Sequence, residues 1–355
     1  MRYALIGCGR IAKNHVAAAV DNRLDVAGLC DIIPENARRY QADCHLDCPV
    51  YTDYREMLAK ERPDFAAVAT ESGKHAAIAL ECIRAGVNVL IEKPVALSVG
   101  DAQAIIDAAK LAGVTVGVCH QNRFNKAVQK LRQAFDEGRF GRVYNISAVI
   151  RWNRGEDYYR QAAWRGTWEQ DGGCLMNQCI HNIDLLRWFG GEAASVFGVT
   201  GNYCHPYMQG EDFGTAIVRF AGGATGTLEG TVNVYPRNLE ETLTVFGERG
   251  TAKLGGRSVN TILEWDFADK KDSLAEVRQE FTENPPDIYG FGHTPLYADF
   301  IKAIEEKRPP YVTAEDGKKA MEMVLAIYQS SKRKAETVFP LEGCGTLDFS
   351  GLFGR

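Results

Sequence analysis

The chain opens on the stretch YALIGCGRIA, residues 3–12, which decides the fold of its first part. A short apolar run leads directly into a G-x-G-x-x-A turn, and helical periodicity follows. Here Gly7 permits a tight turn, Gly9 lets a phosphate approach the backbone, and Ala12 lets the helix pack closely on the strand. The stretch therefore predicts a Rossmann unit that holds the pyrophosphate of a dinucleotide at the start of the helix. The residues predicted to contact it are Gly7, Gly9, Arg10 and Ile11.

An acidic residue ends the next predicted strand. Asp31 closes the apolar run that starts at Val26, about 20 residues beyond the glycine turn. A carboxylate at this place binds the ribose hydroxyls of NAD and repels the additional phosphate of NADP. Ile32 and Ile33 follow it, where an NADP site would have Arg or Ser. The predicted cofactor is therefore NAD; the alternative for Asp31 alone is a cap on the following turn.

The composition limits the class of protein. With 355 residues, 45% hydrophobic and 25% charged, the chain is typical of a soluble globular protein of about two domains. No apolar run suits a membrane helix, no signal peptide is expected before the first strand, and a net charge of −5 disfavours nucleic-acid binding. Ten scattered cysteines indicate reduced thiols and a cytoplasmic location. Cys44-His45 and Cys48 lack a second ligand pair, so no metal site is predicted.

The first third of the chain alternates short apolar runs with helical periodicity, which indicates βαβ units and a buried parallel sheet. The predicted strands are Tyr3–Ile6, Leu24–Asp31, Asp64–Thr70, Asn88–Ile91 and Val114–Cys119. The predicted helices are Gly9–Val20, Pro34–Gln41, Asp53–Glu61, His75–Ala85 and Ser98–Ala112.

After Asn122 the pattern changes to long alternating strands with few helices. The predicted strands are Val143–Asn153, Phe213–Phe220, Ala224–Val234, Glu241–Phe246 and Thr251–Leu254. The predicted helices are Ala127–Glu137, Asp184–Phe189, Leu296–Ile304 and Ala314–Lys332. The fold class is thus α/β: a doubly wound Rossmann domain over residues 1–122, then an α+β domain over 123–355 with a large, mostly antiparallel open-faced sheet. An open apolar face predicts association into a homodimer or homotetramer.

A more specific motif is Leu90-Ile91-Glu92-Lys93-Pro94, which follows Ala85-Gly86-Val87-Asn88-Val89. Together with Thr70–His75 and Asp171–Asp184, it resembles the Gfo/Idh/MocA oxidoreductase family over essentially the whole chain. The resemblance implies an active-site lysine at Lys93, followed by a proline that is often cis. The cofactor contacts it implies are Thr70, His75, Glu92, Lys93 and Gln121.

The segment Asp171–Asp184 resembles a second family motif, with a histidine followed by an aspartate three residues later. His181 and Asp184 match it, whereas Asn177 stands where many sugar dehydrogenases of the family have Asp. Because Asn cannot stabilise an imidazolium electrostatically, a simple His–Asp dyad is in doubt. We predict His181 as the base and Lys93 as the donor to the reacting oxygen, although a desolvated Lys93 can itself be a base. The plain alternative is a buried structural histidine.

One branch of the family is more similar still. Tyr158-Tyr159-Arg160, Trp164–Trp168 and Asn177–Asn182 resemble enzymes that oxidise the 3-hydroxyl of a UDP-sugar acid, UDP-N-acetylglucosaminuronic acid (UDP-GlcNAcA), for lipopolysaccharide O-antigen sugars. Asn at position 177 is expected in that branch, and arginines between aromatic residues suit an anionic sugar; the alternative for each arginine is an interface or surface ion pair. The segment Tyr289–His293 is predicted at the nucleotide end of the pocket. The predicted substrate contacts are Lys93, Arg160, Arg165, Thr167, Asn177, Gln178 and His181.

Two other functions stay open on this evidence. One is an NAD-dependent dehydrogenase of a free sugar or cyclitol, similar to inositol dehydrogenases. The other is a non-catalytic NAD-binding sensor, which the presence of both Lys93 and His181 disfavours. Members of the branch can re-oxidise NADH with 2-oxoglutarate, so the resemblance implies 2-oxoglutarate as a candidate re-oxidant for this chain.

Overall fold

Two units make up the chain in the computed structural model, which describes residues 1–285 and 288–354. The first unit comprises Met1–His120 with His293–Lys318. The second comprises Gln121–Gly292 and the chain from Lys319 onward.

The first unit is built on a parallel sheet of six strands in the order β3-β2-β1-β4-β5-β6. Its strands are β1 (Arg2–Ile6), β2 (Asp25–Cys30), β3 (Val50–Tyr51), β4 (Phe65–Val68), β5 (Asn88–Ile91) and β6 (Val116–Val118). Its first helices are α1 (Ala12–Asp21), α2 (Pro34–Asp43), α3 (Tyr54–Glu61), α4 (His75–Arg84) and α5 (Val99–Ala112). The central strands are buried on both faces, which explains their continuous apolar sequences. The predicted Rossmann fold is confirmed.

The turn after β1 requires glycine. Gly7 has φ of +95°, a left-handed conformation that side chains rarely adopt, and a Cβ there would lie 2.6 Å from the carbonyl carbon of Ala69. Gly7 therefore brings the turn against the end of β4, and α1 begins at Ala12 directly behind it.

The second unit contains an eight-stranded sheet in the order β13-β12-β11-β7-β10-β9-β8-β14. Its strands are β7 (Val143–Arg151), β8 (Ala193–Gly201), β9 (Phe213–Phe220), β10 (Thr225–Thr231), β11 (Glu240–Gly247), β12 (Gly250–Gly255), β13 (Thr261–Phe267) and β14 (Thr337–Val338). Neighbouring strands are antiparallel except β7 and β10, which pair in parallel. The mostly antiparallel sheet is confirmed, although the sequence does not predict β8, β13 or β14. In β8 both faces carry apolar residues, with Val196 buried and Phe197 exposed, so no alternation is visible.

Helices of the second unit cover one face of this sheet. Those packed against its strands are α6 (Lys126–Asp136), α8 (Cys174–Asn177), α9 (Ile180–Gly190) and α10 (Leu274–Phe281), and α7 (Glu156–Arg160) follows β7 in the chain. Glycines in the strands let α8 approach closely, since a Cβ on Gly230 would lie 2.7 Å from Leu175. The opposite face exposes a group of large apolar side chains: Tyr144, Phe197, Val199, Ile217 and Phe246.

The closing segment contains α11 (His293–Glu306) and α12 (Ala314–Arg333). The prediction of domains over 1–122 and 123–355 differs from the structure here, because His293–Lys318 packs with the first unit. The reason is aromatic packing: Phe300 contacts Phe65, and a Cβ on Gly117 would lie 2.9 Å from the Phe300 ring. No helix among the described residues is both long enough and apolar enough to span a bilayer.

Candidate active site

Asp31 holds the glycine turn through main-chain hydrogen bonds. The N–H groups of Cys8 and Ile33 each donate to its carboxylate at 2.8 Å, so Asp31 also caps the turn that follows. A Cβ on Gly9 would meet no atom within 4 Å, which leaves the space in front of the turn open for a pyrophosphate. Ile32, exposed on 82% of its surface, offers an apolar contact for an adenine ring beside the carboxylate. These residues fit NAD, with Arg10 exposed and Ile11 half-buried at the start of α1.

His75 links the loops that follow β4 and β5. Its Nδ1 lies 2.7 Å from the carbonyl oxygen of Pro94, and its Nε2 lies 3.1 Å from that of Thr70. Burial lowers the pKa of the His75 ring. With a single N–H, the neutral ring donates to one of these two carbonyls; it lies buried between the two loops, and Thr70 is half-buried in the first of them.

Lys93 follows the end of β5, and its peptide bond to Pro94 is cis. The preceding Glu92 is only 6% exposed. Burial by itself would raise the pKa of Glu92, but hydrogen bonds from His15 and His293 bring that pKa well below its usual value. A buried, ionised carboxylate therefore directly precedes the half-buried Lys93. His293, predicted at the nucleotide end of the substrate pocket, instead faces Glu92, with its Nε2 at 3.5 Å from Oε1.

His181 lies in the first turn of α9, which begins at Ile180, four residues before its predicted start. Its Nε2 lies 3.4 Å from the Nε2 of Gln121, so the structure brings these two predicted site residues together. Asp184 has a different partner: its two oxygens accept from Nε and Nη2 of Arg123 at 2.6 and 2.5 Å. This pair is 1% exposed on both sides and anchors the helix that carries His181.

A chain of amides orients the other polar residues of this segment. Asn177 Nδ2 donates to Asp171 Oδ1, and Gln178 Nε2 donates to Asn177 Oδ1 and, at 2.9 Å, to the hydroxyl of Tyr158. Asp171 is buried and also accepts from the N–H of Gly166 at 2.6 Å. The buried Asp171 therefore fixes the amide orientation of Asn177. An acidic side chain thus lies next to position 177 even though that position itself is Asn.

Two arginines flank Tyr158. The Arg165 guanidinium donates to the Tyr158 hydroxyl and lies 4.3 Å from the ring centre. Arg154 donates a hydrogen bond to Gln178 Oε1 at 2.9 Å. Its guanidinium carbon lies 5.4 Å from the centre of the Tyr158 ring and 4.7 Å from the centre of the Trp152 ring. Among the described residues, neither guanidinium has a carboxylate within ion-pair distance.

This arginine pair, Arg154 and Arg165, is electrostatically unbalanced. Burial lowers the pKa of Arg154, as expected for a cation that has lost water without gaining an anion. Burial raises the pKa of the Glu241 carboxyl to about 8 although Arg154 acts to lower it, so Glu241 is protonated near neutral pH. Two half-buried cations beside aromatic faces are an arrangement suited to an anionic sugar.

Two predicted substrate residues lie outside this arrangement. The Arg160 side chain is 74% exposed and pairs with Glu156 one helical turn earlier, at 2.5 Å. The hydroxyl of Thr167 donates to the carbonyl of Trp164 at 2.7 Å, within the turn that precedes Trp168.

The sequence analysis does not single out Arg154, Tyr158 or Asp171 as candidate site residues, although Tyr158 and Asp171 lie in the motif segments it quotes. Arg154 stands between Trp152 and Tyr158 in the sequence, the same pattern of a cation among aromatic residues that singled out Arg165. Asp171 was visible only as part of the family motif, because nothing in its spacing indicates a bond to Asn177.

A group of potential metal ligands lies in the first unit. Atoms of His15, Glu92 and Cys119 lie within 4.8 Å of one another, and all three side chains are buried. His15 Nε2 and Glu92 Oε1 are hydrogen-bonded at 3.1 Å, so these two atoms already have each other as partners.

The comparisons with known proteins agree with this geometry. Residues 1–120 match the model of the oxidoreductase family with a NAD-binding Rossmann fold, and residues 128–253 match the GFO/IDH/MocA C-terminal domain. The chain belongs to the GFO/IDH/MocA family. This GFO/IDH/MocA protein is therefore a NAD-dependent oxidoreductase that acts on sugars, and the predictions of the family, the enzyme class and the cofactor are confirmed.

Several GFO/IDH/MocA relatives are similar over nearly their whole length. The WlbA dehydrogenase of Bordetella pertussis, solved with NADH and UDP-GlcNAcA, is 36% identical with a TM-score of 0.90, covering 96% of this chain and 98% of that one. The WlbA dehydrogenase of Chromobacterium violaceum, solved with the same two ligands, is 35% identical with a TM-score of 0.87, covering 96% of each chain. Myo-inositol 2-dehydrogenase of Thermotoga maritima is 26% identical over 345 residues, which is 94% of this chain and 97% of the relative.

Proposed function

We propose that this protein oxidises the 3-hydroxyl of UDP-GlcNAcA to the 3-keto sugar, with NAD as the hydride acceptor, in the synthesis of surface-polysaccharide sugars. The observation that carries the proposal is the arginine pair. A sugar acid linked to a diphosphate would supply the anions that Arg154 and Arg165 lack. The two WlbA structures, which contain UDP-GlcNAcA, support the same substrate.

Each residue then has a chemical role. His181 takes the proton of the 3-hydroxyl, and Lys93 donates a hydrogen bond to the same oxygen as negative charge develops on it. NAD, which the glycine turn and Asp31 would hold, would supply the acceptor for the hydride of carbon 3. Asn177 and Gln178, whose amides are oriented by Asp171 and Tyr158, hold the sugar ring.

The substrate test compares two nucleotide sugars that differ only at carbon 6. UDP-GlcNAcA has a carboxylate there, whereas UDP-N-acetylglucosamine has a neutral hydroxymethyl group. We expect NAD reduction with the first and little with the second, and a product two hydrogen atoms lighter by mass spectrometry. Reduction with myo-inositol but not with UDP-GlcNAcA would instead support the free-cyclitol dehydrogenase.

Arginine variants locate the carboxylate contact. Arg154→Met should raise KM for UDP-GlcNAcA by about 10- to 100-fold, the value of a lost charge-assisted hydrogen bond. The Kd for UDP-N-acetylglucosamine, measured by competition, should rise equally only if Arg154 binds the diphosphate instead of the carboxylate. Arg151→Met is the matched control, since that arginine lies three residues away and pairs with Glu229 and Glu240. Its KM values should stay near those of the unmodified protein.

Cofactor recycling and association complete the proposal. If 2-oxoglutarate re-oxidises bound NADH, the purified protein will form 2-hydroxyglutarate in the presence of UDP-GlcNAcA, and its absence would exclude that route.

The apolar sheet face of Tyr144, Phe197, Val199, Ile217 and Phe246 supports a homodimer or homotetramer. Light scattering gives the mass, and Ile217→Lys should shift it towards the monomer.

A further inference from the structure

A buried row of hydrogen bonds runs from the core of the first unit to Glu92. The hydroxyls of Tyr3 and Tyr297 lie 3.0 Å apart, and the Tyr297 hydroxyl lies 2.6 Å from His15 Nδ1. His15 Nε2 lies 3.1 Å from Glu92 Oε1, and the other oxygen of Glu92 accepts from the N–H of Lys93 at 3.2 Å. Tyr3, His15 and Tyr297 have no exposed surface. This row ends on the residue whose side chain is proposed to touch the reacting oxygen.

The direction of each hydrogen bond follows from the charges. Glu92 is an ionised carboxylate and can only accept, so His15 Nε2 carries the proton. Burial lowers the pKa of His15, which keeps the ring neutral and leaves Nδ1 as an acceptor. The Tyr297 hydroxyl therefore donates to Nδ1, and its own oxygen accepts from Tyr3. All donors point towards Glu92.

We propose that His15 is a positioning residue for Lys93: it holds the Glu92 carboxylate, which in turn holds the main chain at Lys93. Tyr297 and Tyr3 act one and two steps further back, because they select the His15 tautomer that donates to Glu92. The proposal rests on the proposed function only in assigning Lys93 to the reacting oxygen.

The surroundings of Glu92 explain why this support matters. A buried carboxylate keeps its charge only while donors surround it, and removal of one donor favours protonation. A protonated Glu92 would lose its charge and weaken its bond to the N–H of Lys93. The groups that face Glu92 from the elements packed around it are His15, His75, Lys93, Cys119, His293 and Tyr297.

The first experiment reads the His15 tautomer directly and needs no substrate. In protein labelled with ¹⁵N-histidine, with His15→Gln used to assign its signals, we expect a neutral ring with hydrogen on Nε2 from about pH 6 to 8. An imidazolium, or hydrogen on Nδ1, at neutral pH would overturn the proposal. So would stoichiometric zinc in the purified protein, which would make His15, Glu92 and Cys119 a metal centre.

The second experiment measures kcat and its pH dependence with NAD and UDP-GlcNAcA. His15→Phe should lower kcat by about 10- to 100-fold, since small displacements of a reacting group cost that much, while KM for NAD changes little. Turnover should also acquire a new loss towards acid pH as Glu92 becomes protonated. His15→Gln, whose amide N–H can still donate to Glu92, should recover most of kcat.

Milder variants keep the test decisive if His15→Phe fails to fold. Tyr297→Phe should lower kcat more than Tyr3→Phe, because only Tyr297 touches His15. Phe300→Leu is the matched control: it lies one turn away on α11, is 1% exposed, and should lower the melting temperature without altering the pH profile. Equal profiles for all three variants would overturn the proposal. Absence of turnover in the unmodified protein would count against UDP-GlcNAcA instead, and the tautomer measurement would still stand.

Discussion

Buried charge is stabilised differently in two regions of the molecule. One is the surroundings of Glu92 in the first unit, and the other is the arginine pair in the second unit. Glu92 is a carboxylate among neutral donors, with His15 and the N–H of Lys93 directed at it. Arg154 and Arg165 are cations among aromatic rings and amides, with no anion in contact among the described residues. The first group is complete within the protein, whereas the second is proposed to receive its anion from the substrate. The comparison separates a structural charge from a ligand-binding charge.

The largest expected effect comes from the two residues proposed to touch the substrate. Lys93→Ala and His181→Ala should each lower kcat with UDP-GlcNAcA by about 100- to 10,000-fold, as expected for loss of an acid–base or oxyanion-stabilising group. NADH binding, measured by fluorescence titration, should stay within a few-fold of normal. The acid limb of the pH profile decides which one is the base, since it should vanish in the variant that lacks the base. Near-normal kcat in either variant excludes its catalytic role.

The next effect concerns stability and has opposite signs in the two regions. Removing a donor from an ionised, buried carboxylate is costly, so His15→Phe should lower the free energy of unfolding by about 3 kcal/mol. Arg154→Met removes a desolvated, unpaired cation and should leave the ligand-free protein equally stable or up to about 1 kcal/mol more stable. Urea unfolding without ligands measures both. Destabilisation by Arg154→Met would mean that its hydrogen bonds to Gln178 and Asn238 stabilise the fold by more than its desolvation costs.

A third prediction compares Glu92 with two other buried carboxyls. Burial raises the pKa of both Glu211 and Glu241 to about 8, because they have fewer donors than burial requires. In the unfolded chain, Glu211 and Glu241 lose their carboxyl protons near pH 4.5. The contribution of these two carboxyls to the free energy of unfolding is therefore complete in acid and is lost as the pH rises towards 8. The slope is at most about 1.4 kcal/mol per pH unit for each group.

Glu211→Gln should therefore flatten this decline, since the amide oxygen can still accept from the Leu175 N–H and the Tyr328 hydroxyl. Melting temperatures across that pH range measure the slope. Glu92 and His15 have the opposite sign: their folded-state pKa values are lowered, so their contribution is lost as pH falls. An identical slope in Glu211→Gln and the unmodified protein would contradict the assignment.

The smallest effect is expected for Arg160. Its side chain is 74% exposed and paired with Glu156, and exposed pairs of this kind contribute little. Arg160→Ala should change KM for UDP-GlcNAcA by less than about 3-fold, a difference within the value of a surface contact. A rise comparable to that of Arg154→Met would restore Arg160 to the substrate site, as the sequence predicts.

The two regions also differ in how far the sequence predicts them. The glycine turn, Asp31 and Lys93 follow from local patterns, because each lies where a buried parallel strand ends. The parallel pairing of β7 with β10 could not be predicted, since alternation shows which face is buried but not which strand is adjacent. Tyr297 contacts His15 across 282 positions, and no local pattern encodes a contact at that range.

The second unit shows the same limit at its polar site. Arg165 and Asn177 were predicted from the family motif, whereas Arg154 was not. Yet Arg154 contacts Gln178, which directly follows Asn177 in the sequence. Its partners, Gln178 and Asn238, lie 24 and 84 positions away in the sequence. A cation without an acidic partner is recognisable only when the surrounding side chains are known, because the sequence contains many acidic residues that could have been its neighbour.

The return of His293–Lys318 to the first unit has a consequence for how the protein is made. A ribosome releases residues 1–120 long before Tyr297 and Phe300, and the entire segment 121–292 emerges in between. Until then the nascent chain exposes the rings of Tyr3 and Phe65, which α11 later covers. The NAD-binding unit therefore cannot complete its core until residue 318 has been made, although its sequence comes first. We expect a fragment ending at residue 120 to aggregate or to be retained by chaperones in the cell.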